Sequence, residues 1–197
     1  MTTIIENLTE ALKGETIALK KYELFAEQAE KENHLEIARL FKAISFAESI
    51  HIKNHAQALS KVSNTQVMIE KLIEINESDL KKQVKDTRNN LIQAIAGETF
   101  EFKKMYKSFV KNAKKEDEYI AEYSFNLARK AEIVHSKLFI NYLKKLDKKE
   151  IVRPIDIYVC IICGNAIIEK PTENCPNCDH DVKFFKKFDY NSGTRHK

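Results

Sequence analysis

Apolar residues recur every three or four positions along the first 147 residues of the chain. This spacing is the period of an amphipathic helix, and it predicts four long helices, at 3–32, 35–62, 87–115 and 117–147. The stretch 63–86 is too long for a tight turn, so we expect a short helix within a crossover connection. Two helical hairpins joined in this way predict a four-helix bundle.

Glycine and proline divide the chain near residue 150. All three prolines follow this point, whereas only Gly14 and Gly97 precede it. A proline-free stretch of this length indicates a helical domain, and the proline-bearing remainder indicates a separate module with short strands. We therefore predict a mainly α protein, with a ferritin-like bundle over 1–147, a linker over 148–157 and a small β module over 158–197.

Each predicted bundle helix has a glutamate on its apolar face, where an unpaired carboxylate would be costly to bury. The sequences ESIH (Glu48 to His51) and EIVH (Glu132 to His135) are Glu-x-x-His motifs, which place a carboxylate and an imidazole one turn apart on one helical face. The other two helices supply one further glutamate each, Glu15 and Glu98. This donor set is that of di-iron carboxylate bundles, since oxygen and imidazole ligands suit iron or manganese.

An internal repeat supports the metal interpretation. GETIALKK at 14–21 and GETFEFKK at 97–104 agree at five of eight positions, and Glu101 stands where the first copy has Ala18. From the repeated glutamate to the next Glu-x-x-His motif there are 33 residues in one half (15 to 48) and 34 in the other (98 to 132). One such motif alone is usually coincidence, but two in register with a repeat favour a metal site.

Five residues near these faces have roles that the pattern leaves open. Mid-helix glycine costs about 1 kcal/mol relative to alanine, so Gly14 and Gly97 predict a close approach of neighbouring helices. Tyr22 and Tyr106 lie two turns after the repeated glutamates, and are either hydrogen-bond partners of the ligand carboxylates or ordinary core residues. His55 is expected to be a packed or supporting histidine rather than a ligand.

The four cysteines form two Cys-x-x-Cys pairs with eleven residues between them, at Cys160, Cys163, Cys175 and Cys178. This spacing predicts a tetrahedral four-thiolate site for one ion and does not choose between zinc and iron. A segment of about 40 residues needs such a metal to fold. On its own the pattern slightly favours a zinc ribbon.

Charge and hydropathy exclude two classes of partner. The net charge of +4 is spread over mixed charges and no basic cluster is interleaved with aromatics, so we expect no nucleic-acid binding. No run of about 18 apolar residues occurs, which predicts no membrane span. The N-terminal sequence MTTIIENLTEALKGE has no basic leader or apolar core, so the expected location is the cytoplasm.

Taken together, the motifs resemble those of the rubrerythrins, in which a ferritin-like di-iron domain precedes a rubredoxin-like domain. The resemblance spans nearly the whole chain and rests on Gly14-Glu15, ESIH, GETFE, EIVH and both cysteine pairs. It implies that 158–197 is a rubredoxin-like module held together by its metal. It also implies that the four-cysteine metal is a single electron-carrying iron, for which zinc can substitute.

The resemblance implies a role for each ligand of two non-haem irons. Glu48 and Glu132 would bridge the irons, Glu15 would be terminal on one of them, and Glu98 and His135 would bind the other.

Glu101 matches an extra carboxylate that distinguishes rubrerythrins from simpler di-iron bundles. The resemblance implies that one iron binds Glu101 when oxidised and His51 when reduced. On this interpretation, the difference between Ala18 and Glu101 breaks the symmetry of the repeat and creates a redox-dependent ligand.

The resemblance also implies an activity and partners. Hydrogen peroxide would be reduced to water at the di-iron site, in defence against oxidative stress. The four-cysteine iron would return electrons from an NAD(P)H-dependent reductase. A homodimer is expected, in which the module of one chain lies near the di-iron site of the other, and a linker of about ten residues spans roughly 30 Å if extended. Two alternatives remain: an iron-storage or ferroxidase bundle, and a non-enzymatic helical scaffold with a zinc ribbon.

Overall fold

The computed structural model describes residues 3–68, 73–150 and 155–189. Helices form most of the described chain up to Asp147, and they agree with the predicted helices to within two residues at each end. The helical segments are α1 (Ile4–Lys31), α2 (Leu35–Ser63), α3 (Glu77–Gln83), α4 (Thr87–Phe100), a π-helical turn (Glu101–Met105), α5 (Tyr106–Lys115) and α6 (Tyr119–Asp147). The short helix expected in the crossover is α3, and residues 69–72 lie outside the described part.

Local signals in the sequence fix the ends of these helices. Thr3 and Glu6 form a reciprocal capping box at the start of α1, and Asp86 caps α4 by accepting from the backbone of Asn89. The α2 helix ends at Asn64, which adopts the left-handed conformation (φ 51°) that commonly stops a helix. These local signals define where the helices begin and end.

A π-helical turn explains the unequal spacing of the two halves. The backbone N–H of Tyr106 donates to the carbonyl of Glu101, five residues earlier, rather than four as in an α-helix. This turn takes up one additional residue, so Tyr106 follows Glu98 by eight residues whereas Tyr22 follows Glu15 by seven. Both tyrosines therefore face the interior of the bundle.

The bundle has two apolar clusters, with a polar layer between them. One cluster contains Phe25, Phe41 and Phe139 and the other contains Phe109 and Phe125. Along each long helix the predicted metal ligands fall between residues of the two clusters. The apolar clusters therefore close the polar layer from both ends of the bundle.

The cysteine region forms a three-stranded antiparallel sheet of order β2-β1-β3, with β1 at Ile157–Cys160, β2 at Ala166–Ile168 and β3 at Phe185–Phe188. Tyr158 pairs with Ile167 on one side and Lys187 on the other. Residues 151–154, within the predicted linker, lie outside the described part.

The module packs directly on the bundle. Ile157 and Val159 are buried in the same apolar cluster as residues of α2, and the rings of Phe46 and Phe188 lie 5.5 Å apart. Hydrogen bonds also join the module to the bundle: Asn54 on α2 donates to the carbonyl of Ile162 at 2.9 Å, and two further side chains donate to main-chain carbonyls across the same interface.

In the described residues, no helix combines the length and hydrophobicity required to cross a bilayer.

Candidate metal centre

The four long helical segments bring six predicted ligands together in the polar layer. All six side chains are at most 1% exposed: Glu15, Glu48, His51, Glu98, Glu132 and His135. Their donor atoms form two groups, each within 4.8 Å: Glu15, Glu48, His51 and Glu132, then Glu48, Glu98, Glu132 and His135. Glu48 and Glu132 belong to both groups, as expected for carboxylates that lie between two ions.

Unpaired polar atoms test whether this layer fits a metal. Buried carboxylates without a partner are strongly unfavourable, and an enclosed cation is the usual compensation. Six side-chain atoms of the layer are buried without a well-oriented hydrogen bond to the described residues, and most of them crowd around the Nδ1 atoms of the two histidines: Glu15 Oε2, Glu48 Oε1 and Oε2, His51 Nδ1, Glu98 Oε2 and Glu132 Oε1. The residues present therefore fit a pair of metal ions.

Both ligand imidazoles are oriented by the backbone of the cysteine module. Nε2 of His51 donates to the carbonyl of Cys163 at 3.2 Å, and Nε2 of His135 donates to the carbonyl of Gly164 at 3.0 Å. Their Nδ1 atoms face the carboxylates, at 2.8 and 2.7 Å from oxygens of Glu132. A hydrogen bond from Nε2 leaves Nδ1 as the ring nitrogen available to a metal.

The electrostatics of the layer also indicate missing positive charge. Burial raises the pKa of Glu15 from 4.5 to about 8. The nearby His51 lowers this pKa, and the neighbouring carboxylates of Glu48 and Glu132 raise it further. Burial also raises the pKa of Glu98 and of Glu101 well above the ordinary range. Only Glu132 moves the other way: although burial opposes ionisation, His51 and His135 hold its pKa well below the ordinary range. A metal would replace the protons that these carboxyl groups otherwise retain.

The two tyrosines are hydrogen-bond partners of the ligand carboxylates, which resolves the alternatives left by the sequence. Tyr22 donates to Oε1 of Glu98 at 2.5 Å, and Tyr106 donates to Oε1 of Glu15. Each tyrosine reaches a carboxylate from the other half of the repeat. Such hydrogen bonds hold a carboxylate in one orientation as it binds a metal.

Glu101 lies beside the layer but outside both groups of converging donors. Its side chain is 9% exposed and belongs to the π-helical turn. Its proposed role as a redox-dependent ligand therefore stays a prediction, and His51 is the residue that converges with the other donors.

The predicted close approach of helices at the two repeat glycines is wrong. A β-carbon on Gly14 would meet nothing nearer than Oε1 of Glu101 at 3.8 Å, and one on Gly97 nothing nearer than Oη of Tyr22 at 4.0 Å. Both distances are ordinary van der Waals contacts. The close approach occurs instead at Gly164, which the sequence analysis did not single out, although a glycine directly after a cysteine pair was a usable signal.

The four cysteines of the module converge as predicted. Cys160 and Cys178 have sulfurs 3.7 Å apart, and those of Cys163 and Cys175 are 3.6 Å apart. A tetrahedral ion with metal–sulfur bonds of about 2.3 Å places its ligand sulfurs about 3.8 Å apart. All four are free thiols within one group, so the site fits a single metal ion rather than disulfides.

Fold and site together define a class of protein: a di-iron carboxylate bundle joined to a rubredoxin-like four-cysteine centre. The rubrerythrin family model matches residues 6–143. Rubrerythrin-2 of Clostridium acetobutylicum is 32% identical over 92% of this chain and 94% of its own length. Nigerythrin of Nitratidesulfovibrio vulgaris is also 32% identical, over 88% of this chain and 81% of its own.

The structural comparison agrees with the sequence comparisons. A structure of nigerythrin in a mixed-valence state matches with a TM-score of 0.82 and 28% identity, covering 95% of this chain and 87% of nigerythrin. The chain belongs to the rubrerythrin family. Its cofactors are two non-haem irons in the bundle and one iron in the four-cysteine site.

Proposed function

We propose that this protein reduces hydrogen peroxide to water at the di-iron site and is then re-reduced through the four-cysteine iron. The observation that supports this most is the contact of one module loop with both ligand imidazoles. Cys163, a ligand of the module, accepts from His51 through its own carbonyl, and the adjacent Gly164 accepts from His135. The two centres are thus connected through one residue and one hydrogen bond, because the residue that accepts from His51, a ligand of the bundle, is itself a ligand of the module.

The residues of the bundle provide the setting for this reaction. When bound, the two irons supply both electrons needed to cleave the O–O bond of peroxide. Glu48 and Glu132 lie between the two donor groups and are suited to bridging, Glu15 and Glu98 to terminal positions. The tyrosines fix the terminal carboxylates, and the apolar clusters exclude bulk water from the polar layer.

Electron supply and assembly extend the same proposal. A reductase that oxidises NAD(P)H would deliver electrons one at a time to the four-cysteine iron. Cys178 is the one module ligand that is partly exposed, which suits it to face such a donor. In this structure the module contacts the bundle of its own chain, so the expected pairing of a module with the di-iron site of a second chain stays a prediction. A homodimer, a cytoplasmic location and a role in oxidative-stress defence are further parts of the proposal, and they also stay predictions.

Two alternative functions do not explain why the cysteine loop contacts the ligand histidines. An iron-storage or ferroxidase bundle needs no dedicated electron supply, and a scaffold with a zinc ribbon needs no ligand set in its core. Size-exclusion chromatography tests the first rival, because a storage protein assembles into large shells.

Metal analysis and one addition of peroxide test the proposal. The full chain is purified from iron-replete cells without oxygen, and its metal content and visible spectrum are recorded before and after peroxide. We expect about three irons per chain and a bleached reduced protein that turns red as peroxide is consumed. One zinc, no iron and an unchanged spectrum would leave only the scaffold.

A further inference from the structure

A continuous chain of hydrogen bonds reaches the metal-binding carboxylates through His55. His55 is fully buried on α2 and belongs to neither group of ligands. Its Nδ1 lies 2.8 Å from Oγ of Ser124 on α6, and its Nε2 lies 2.9 Å from Oη of Tyr106 on α5. Tyr106 in turn donates to Glu15. The chain therefore runs from Ser124 to a carboxylate of the di-iron site.

The inner end of this chain sets its direction. Because the hydroxyl of Tyr106 donates to the carboxylate of Glu15, its oxygen accepts the Nε2 proton of His55. Nδ1 of the neutral ring then accepts from the hydroxyl of Ser124. All three hydrogen bonds point toward the metal site.

The outer end of the chain opens on a pocket. Ser124 lines a cavity of about 820 Å³ between α2 and α6. Polar side chains line the same cavity, including those of Lys53, Asn54 and Gln57. The cavity is lined mainly by apolar surface but is open to solvent, so water has access to the polar groups around Ser124. Water at Ser124 is thus connected to Glu15 by three side chains.

The other half of the repeat has no such chain. Four residues after His135, at the position that corresponds to His55, the sequence has Phe139. The ring of Phe139 packs 5.4 Å from that of Tyr22, the counterpart of Tyr106. Tyr22 is further enclosed by Phe25 and Phe41, so its hydrogen bond to the ligand carboxylate leads no further.

The position that corresponds to Ser124 is also apolar in the other half. It is occupied by Leu40, 84 residues earlier, which is the separation between the two Glu-x-x-His motifs (48 to 132). Leu40 is fully buried in the apolar cluster. One half of the repeat therefore has a hydrogen-bonded chain that leads toward the surface, and the other half has buried apolar residues at the corresponding positions.

We propose that Ser124, His55 and Tyr106 deliver protons from the pocket to the di-iron site at Glu15. The inference rests on the proposed function, because one hydrogen peroxide, two electrons and two protons give two waters. In each transfer Ser124 takes a proton from pocket water and passes its own to Nδ1 of His55. The ring releases its Nε2 proton to Tyr106, which releases its own to Glu15. One proton enters and one is delivered, and the transfer leaves the ring protonated on Nδ1.

Two substitutions at His55 separate proton transfer from structural support. His55→Phe copies the sealed half of the repeat, whereas His55→Gln keeps a donor and an acceptor but does not relay protons. Ser45→Ala is the control, since Ser45 is a buried serine of α2 that donates to the carbonyl of Leu19 at 3.1 Å, away from the chain. All variants are prepared as full chains loaded with iron, and their iron content is measured.

Single-turnover oxidation of the reduced protein by peroxide is then followed in H₂O and D₂O. We expect both His55 variants to hold as much iron as the parent protein and to oxidise about 100-fold more slowly. The solvent isotope effect should change in both, and Ser45→Ala should match the parent. A His55→Gln protein with the parent rate and isotope effect would overturn the proposal, because hydrogen bonds alone would then suffice.

The tautomer of His55 tests the chain independently of turnover. In the full chain loaded with diamagnetic zinc, ¹⁵N nuclear magnetic resonance should show the proton of the His55 ring on Nε2. A proton on Nδ1 would reverse the outer hydrogen bond and overturn the relay. If the iron-loaded parent consumes no peroxide, the proposed function fails, and this measurement still decides whether the inward chain exists.

Discussion

Gly164 lies against the ring of His51, so that a β-carbon at this glycine would overlap Nε2 of the imidazole. The same β-carbon would lie 3.1 Å from the carbonyl oxygen of Ala47 on α2. Gly164 also has a φ of 77°, a conformation that glycine adopts without strain. The tip of the cysteine loop thus fits against α2 only because it has no side chain.

Gly164→Ala should therefore separate the module from the imidazoles. We expect a lower melting temperature, since the strained backbone alone costs about 1 kcal/mol or more, and a slower return of electrons to the bundle after peroxide. Thermal unfolding and stopped-flow reduction measure the two effects. Gly97→Ala is the control: its helical site is exposed and has space for a methyl group, so stability should rise by about 0.5–1 kcal/mol. Equal behaviour of the two variants would contradict the contact.

Without metal, the bundle should lose stability as pH rises. The folded pKa of Glu15, about 8, exceeds its ordinary value of 4.5, so its stabilising contribution is complete below 4.5 and is lost as pH rises through 8. Although burial opposes the charged ring, Glu132 raises the pKa of His51 and of His135, and these groups act in the same direction.

Far-ultraviolet circular dichroism reports mainly on the helices, and therefore on the bundle. After treatment with a chelator, the melting temperature should fall from pH 5 to pH 8. The iron-loaded protein should show a much smaller change, because metal has replaced the protons. A metal-free protein that becomes more stable over this interval would show that the carboxyl groups are ionised in the fold.

Replacing Glu101 by alanine should impair turnover with peroxide. The expected reason is that an oxidised ion has more positive charge and is stabilised by an anionic ligand such as Glu101. In this structure Glu101 lies outside the two groups of converging donors, so its binding would require a change of position. The iron content of the variant should stay close to that of the parent, since six other ligands remain. Peroxide consumption under steady-state conditions measures the effect, and unchanged turnover would exclude Glu101 as a redox-dependent ligand.

Tyr22→Phe should weaken metal binding. Its hydroxyl supports Glu98 at 2.5 Å, and loss of such a partner typically costs about 10- to 100-fold in metal affinity. Competition with a chelator gives this affinity. Tyr142→Phe is a matched control, because Tyr142 is buried in the same apolar cluster and its hydroxyl makes no hydrogen bond to the described residues. Equal affinities in the two variants would show that the hydroxyl of Tyr22 does not support the ligand.

The bundle and its ligand layer could be predicted because both follow from periodicity. Glutamate and histidine on apolar faces have few explanations other than metal, and the repeat placed Glu48 beside Glu132 without any knowledge of the structure. The difference between the two separations, 33 and 34 residues, was also a sign of the one additional residue in the π-helical turn. The sequence alone does not locate that residue, because the backbone hydrogen bond from Tyr106 to Glu101 is what places it in the helix.

Docking of the module could not be predicted, because its contacts have no period. Asn54 looks like an ordinary surface residue of α2, and its partner is a main-chain carbonyl, which the sequence does not identify. The sequence likewise indicated that His55 was not a ligand but could not connect it to Ser124. Contacts between distant segments depend on how the helices are rotated, and the pattern of one helix does not contain that information.

The two hydrogen bonds from His51 and His135 to the cysteine loop have a consequence for how the protein matures. A module of this size folds only with its metal, and only the folded loop fixes the tautomers of both imidazoles. Iron in the small centre should therefore prepare the ligands of the large one. We therefore expect a preferred order of maturation, with the cysteines filled first, so that a shortage of iron leaves chains with a complete module and an immature bundle rather than the reverse.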